Sequence, residues 1–91
     1  MARAQLYRNL EFTDEFFATF GQFSKPDQGR FRRAMRLLDT DEKHPSLRMH
    51  ELHAPLIGVW SASASDALRM TFERLPGGKK AMLQCSRHYR G

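Results

Sequence analysis

The chain has 91 residues, 41% of them hydrophobic and 27% charged. That balance fits one folded domain, residues 1–91, with a modest core, and excludes a disordered or fibrous polymer. A formal charge of +5 and a pI of about 10.0 favour anionic partners, nucleic acid first. A lone cysteine, Cys85, excludes an intrachain disulfide, and no apolar run reaches the length of a membrane span, so the expectation is a cytoplasmic protein without membrane contact.

In chain order, residues 5–12 read as a short first strand. Thr13 has the chemistry of a helix N-cap, with Asp14 and Glu15 placed where the helix dipole favours acids. Phe16, Phe20 and Phe23 fall at i, i+4 and i+7 and form one apolar helical face. Ser24 and Pro26 mark a break and a second cap. Phe31, Ala34, Met35 and Leu38 then give a second apolar face, flanked by Arg30, Arg32, Arg33 and Arg36, and this helix is predicted to end near Asp41. From His44 the pattern becomes strand-like, with strands predicted over 46–52, 59–65, 68–75 and 81–88. Pro76-Gly77-Gly78 is the turn between the last two. The predicted fold is α+β: a short N-terminal strand and a two-helix hairpin packed on one face of a three- to four-stranded antiparallel sheet.

Charge is uneven along this order. Residues 44–91 hold seven Lys or Arg against three acids, together with all four histidines. Strand alternation predicts that Leu47, Met49, Trp60, Ala62, Leu68, Met70, Phe72, Ala81, Leu83 and Cys85 face the helices. The same parity gathers Arg48, His50, Ser61, Arg69 and His88 on the uncovered face, with Met82, Gln84 and Ser86. A phosphodiester attacked by its own 2′-hydroxyl needs a base, an acid and positive charge on the phosphorane-like transition state. Histidine can do either proton task, and arginine can hold the phosphate. Other patterns fit poorly. His44, His50 and His53 lack structural-zinc spacing, so no metal and no cofactor is expected. Gly77-Gly78-Lys79 lacks phosphate-loop spacing, and the serines at 61, 63 and 65 lack a nucleophile elbow.

The run from His44 through Leu52, then Gly58-Val59-Trp60-Ser61, then Leu68-Arg69-Met70-Thr71-Phe72, resembles the core of RelE/ParE-superfamily toxins. Cys85-Ser86-Arg87-His88-Tyr89 is similar to the C-terminus of the YoeB branch, and Phe12 to Phe16 fits the entry to a helical hairpin. The resemblance implies a metal-independent, ribosome-dependent endoribonuclease that cuts mRNA. It also implies a cognate antitoxin as partner, in a heterotetramer or a higher complex as one option. By position, Arg69 matches the arginine that holds the scissile phosphate, His88 the acid for the leaving group and Tyr89 the adjacent aromatic. His50 lies near a functional histidine of the YafQ-like branch and is the chosen base, with Glu51 second. Arg48, Ser61, Lys79, Lys80 and Arg87 are the candidate RNA contacts. The sequence departs from the family in two places: the RelE lysine pair is absent, and Ser46 stands where the YoeB branch has its glutamate. A ParE-like gyrase inhibitor and an inactive toxin-like binding module are the alternatives.

Overall fold

The computed structural model describes residues 6–88. Its order is β1 (Leu10–Phe12), α1 (Asp14–Gly21), α2 (Lys25–Thr40), a 3-10 turn at Pro45–Leu47, β2 (His50–Glu51), β3 (Val59–Ser63), β4 (Leu68–Arg74), a second 3-10 turn at Pro76–Gly78, and β5 (Lys80–Arg87). The strands form one sheet in the order β1-β5-β4-β3-β2. The α+β class and the helical hairpin agree with the sequence reading. The sheet is larger than expected and mixed, because β1 pairs parallel to β5 and closes an edge beside it. The strand predicted over 46–52 is mostly absent. Its first half is the 3-10 turn, which Pro45 opens and the His44 ring caps by accepting from Ser46 N.

Both helices start where the cap residues dictate. The Thr13 hydroxyl accepts from Phe16 N and the Ser24 hydroxyl from Asp27 N, each satisfying an orphan donor of a first turn. The core lies between the helices and the sheet. Phe16, Phe31, Leu38, Leu47, Leu68, Met70, Phe72 and Met82 are fully buried in it. Phe20 and Phe23 pack at its margin, each against Phe31. The turn before β5 needs Gly77 and Gly78, whose φ values of 77° and 79° lie in the left-handed region that side chains disfavour.

One feature of β5 overturns part of the predicted parity. Thr71 pairs with Gln84, yet Phe72 pairs with Met82, so Leu83 is an extra residue in a bulge. Thr13 holds the bulge, since its backbone N–H and its hydroxyl both donate to the Met82 carbonyl, at 3.1 and 2.9 Å. Below the bulge the faces are exchanged. Met82 enters the core, while Leu83 joins Leu52, Leu56 and Val59 along a groove on the uncovered face. Ala81 turns away with it, paired to Glu73. Above the bulge, Cys85, Ser86 and His88 keep the predicted parity.

The same exchange buries Lys80, which is 3% exposed and pairs with Glu42 at 3.3 Å, so it is not an RNA contact. Glu42 also accepts from Arg74 at 3.0 Å, and Arg74 lies 4.4 Å over the Trp60 ring. Burial works to raise the Glu42 pKa, but the hydrogen bond from Arg74 and the charge of Lys80 outweigh it and hold the carboxyl below its ordinary value. This arrangement ties the segment after α2 to the ends of β4 and β5. A depressed carboxyl stabilises the fold above its unfolded pKa and loses that contribution as pH falls through the native one. Glu42→Gln should therefore cost roughly 1–3 kcal/mol at pH 7, less than for a fully buried pair because Glu42 is partly exposed. The loss should shrink below about pH 4.5. Urea unfolding of both proteins at pH 7 and pH 3.5 checks this, and an equal difference at both values would remove the carboxylate from the account.

Candidate active site

The uncovered face is built from cross-strand rows. Ser63, Arg69 and Ser86 form one row, and His50, Ser61, Thr71 and Gln84 form the next. His88 follows Ser86 by two residues, and its backbone N–H donates to Ala67 O at 2.8 Å. It is thus a diagonal neighbour of Arg69, with roughly 7–8 Å expected between their backbones. The His88 side chain is exposed. The register thus places Arg69 and His88 on the same face of adjacent strands, as diagonal neighbours.

Arg69 is held from behind. Its Nη1 donates to the carbonyls of Ser65, Asp66 and Leu68 at 2.7, 3.1 and 3.0 Å, so the turn between β3 and β4 wraps one edge of the guanidinium. Its other N–H groups remain to meet an anion in a fixed orientation. Burial lowers the Arg69 pKa, the Arg48 charge lowers it further, and Asp66 acts in the opposite sense. The group stays a cation at any physiological pH. Arg48 reaches the same turn from its own loop, with Nη2 3.5 Å from Asp66 Oδ1. Its backbone sits in the left-handed region at φ 45°, an uncommon state for a residue with a side chain, which closes the 3-10 turn and directs the chain into β2.

The site therefore lies at one end of the sheet: Arg48 and Arg69, the Asp66 carboxylate and His88. Asp66 was not among the candidates expected from the sequence. Parity cannot find it, because it sits in a turn, and only the wrapping of Arg69 by that turn brings its carboxylate to the two arginines.

Several expected members lie elsewhere. His50 is on the uncovered face, but the register puts three strand spacings and four residues between it and His88, about 20 Å across the sheet. At that separation the two histidines do not border one site, so the expected grouping of His50 with His88 and Arg69 does not form, and the His50 Nδ1 turns back toward Arg48 O. Glu51 pairs with Trp60, and its carboxylate accepts from Gly58 N. Ser61 has the right parity but is only 5% exposed, since a short side chain between His50 and Thr71 is easily covered. Lys79 lies at the opposite end of β5, about 25 Å of strand from His88, near Glu11. Arg87 shares the face of Leu68 and turns toward the helices, pairing with Asp27 at 3.4 Å over the Phe23 ring. Tyr89 lies outside the described residues.

No group of three or more His, Cys, Asp or Glu that could hold a metal ion gathers among the described residues, and no helix among them is long and apolar enough to cross a membrane.

Comparison with known proteins gives no matching family profile and no matching curated protein. Solved structures do match. YafQ from E. coli strain BL21(DE3) is 16% identical, with a TM-score of 0.73 over 89% of this chain and 93% of that one. A YoeB/ParE toxin from Agrobacterium tumefaciens is 17% identical, with a TM-score of 0.67 over 90% and 100% of the two chains. YafQ in the E. coli DinJ-YafQ toxin-antitoxin complex is 14% identical, with a TM-score of 0.71 over 91% and 94%. At such identities the likeness establishes the fold, and the RelE/ParE-type fold expected from the sequence is the one this chain adopts.

The sole cysteine is not a nucleophile of this site. Burial pushes the Cys85 thiol up to about 12, against an opposing contribution from Thr19, and the side chain faces the core. Alkylation at about pH 8 should accordingly run roughly a thousandfold slower in the native protein than in urea, following the thiolate fraction. Comparable rates in both states would show that the thiol is accessible and ionised.

Proposed function

We propose that this protein is the toxin of a type II toxin–antitoxin pair and that it cuts mRNA on the ribosome without a metal ion. The observation that carries the reading is Arg69, wrapped by the turn that also bears Asp66 and its partner Arg48, with His88 as its diagonal neighbour in the sheet register. The solved relatives described as toxins, one of them in complex with its antitoxin, support the biological half of it.

In the proposed reaction Arg69 and Arg48 hold the scissile phosphate and neutralise the charge that builds on its oxygens. Asp66, whose carboxylate lies 3.5 Å from Arg48 beside the phosphate-holding groups, takes the proton of the 2′-hydroxyl. The 2′-oxygen forms a bond to phosphorus while the bond to the 5′-oxygen breaks. His88 gives its proton to that leaving oxygen. The products are a 2′,3′-cyclic phosphate and a free 5′-hydroxyl, so no water is consumed and none needs activation. The basic face also fits an antitoxin that brings an acidic segment, and the protein's place would be the cytoplasm, where translating ribosomes are.

Expression without a partner should stop growth, and ends mapped in a translating extract should show ribosome-dependent cuts that persist in chelator. Arg69→Ala and His88→Ala should each reduce cutting at least about a hundredfold with little change in the urea midpoint. A 5′-phosphate at the cut would point instead to activated water. Double-strand DNA breaks with intact mRNA would hand the case to a gyrase inhibitor of the ParE kind.

A further inference from the structure

A second concave surface adjoins this site and is not used by the proposed chemistry. It is a groove of about 340 Å³ between α2 and the turn that follows β3. Arg30, Arg33, Ala34 and Leu37 line its helix side. They stand at i, i+3, i+4 and i+7, one stripe of the helix. Ala34, Leu37 and Ala64 give it an apolar floor, and the small alanines leave it open. Arg30, Arg33 and Arg48 form its cationic rim, and Ser46, Ser63 and Ser65 also line it, the Ser46 hydroxyl bonded to the His44 ring and the Ser65 hydroxyl accepting from Ala67 N. Asp66 and its pairing with Arg48 offset one charge, and Asp27 pairs with Arg30 at 2.8 Å from outside the groove. Arg33 makes no ion pair with a described residue.

An apolar floor beneath guanidinium groups and hydroxyls matches a nucleotide backbone: ribose carbons below, phosphate oxygens at the rim. A merely solvated helix face would have no floor. The groove is also continuous with the proposed reaction centre. Ser65 and Asp66 hold Arg69 through their carbonyls on one side of the turn and line the groove on the other. We propose that this groove is a second phosphate subsite, taking a backbone phosphate of the same RNA strand a short step from the scissile one. Arg48, at the boundary, serves both. This rests on the nuclease reading for the identity of the strand, though not for its binding. The common path along one turn favours RNA over an acidic peptide, for which charge alone would speak.

The test uses the full chain and 2′-O-methyl RNA, which lacks the nucleophile and cannot be cut. Affinity for a dinucleotide and for a hexanucleotide is measured by fluorescence anisotropy at several salt concentrations. Arg30→Gln with Arg33→Gln should weaken the hexanucleotide about tenfold, lower its salt slope by about one, and leave the dinucleotide unchanged. Ala64→Leu, which fills the floor at constant charge, should weaken the hexanucleotide in the same way. Arg32→Gln with Arg36→Gln removes equal charge from the opposite side of α2 and should cost less than about twofold.

Equal losses from the two arginine pairs would reduce the effect to net charge and overturn the subsite. So would wild-type protein that binds both lengths equally, or Ala64→Leu that binds like wild type with an unchanged urea midpoint. A hexaglutamate peptide bound more tightly than the hexanucleotide, with the same variant pattern, would reassign the groove to an acidic protein partner. The two proposals fail separately. Wild-type protein that cuts mRNA without the length dependence loses the subsite alone. Length dependence without ribosomal cutting loses the nuclease alone.

Discussion

Two hydrogen bonds from Thr13 to the carbonyl of Met82 fix the arrangement on which the rest depends. They join the start of α1 to β5 at the bulge and so decide which residue of β5 is left unpaired. With Leu83 as the extra residue, Met82 and Lys80 go inward while Ser86 and His88 remain outward. A single strand thereby serves the core and the uncovered face on both sides of the bulge, with opposite alternation on each side. Beyond β1, α1 takes over the exposed edge of β5: the Thr19 hydroxyl accepts from Cys85 N, and Gln84 donates to Glu15. The edge is covered by a helix rather than left open to pairing.

This register also divides the positive charge into two kinds. At the Lys80 end, cations are neutralised inside the protein: Glu42 holds Lys80 and Arg74, and Trp60 covers the latter. At the Arg69 end, the partners of the cations are mostly backbone carbonyls, which orient without cancelling charge. Of the carboxylates near this end, Asp66 is highly exposed, while Asp27 pairs with Arg30 and Arg87 on the helix side. A basic sequence thus becomes a molecule with one neutralised end and one available to anions, although the lysines and arginines of its last two strands look alike when read in a line.

The sequence showed both helix caps, the two apolar helix faces and the alternation of β4, because each depends on residues within a few positions of one another. It also brought Arg69 and His88 to one face, since both lie above the bulge. It failed where the deciding partner was distant. The bulge requires Thr13, which is 69 residues from Met82 in the chain, and without it Leu83 reads as core and Lys80 as surface. The parallel pairing of β1 has no local signal at all. His50 carried the correct parity, but parity names a face and not a position on it, and three intervening strand spacings separate it from His88. Asp66 was invisible to alternation because a turn has none.

The pairing of β1 with β5 has a consequence for the order in which the protein can form. β4 and β5 are joined by a short turn and can pair as soon as both exist, whereas β1 and the cap of α1 have no partner until residues 80–87 have been made. The same late strand completes the row containing Arg69 and leads to His88. During synthesis α1 therefore waits for β5, whereas α2 can already pack on β3 and β4, and the end of the sheet that carries Arg69 and His88 is complete only once β5 lies between β4 and β1.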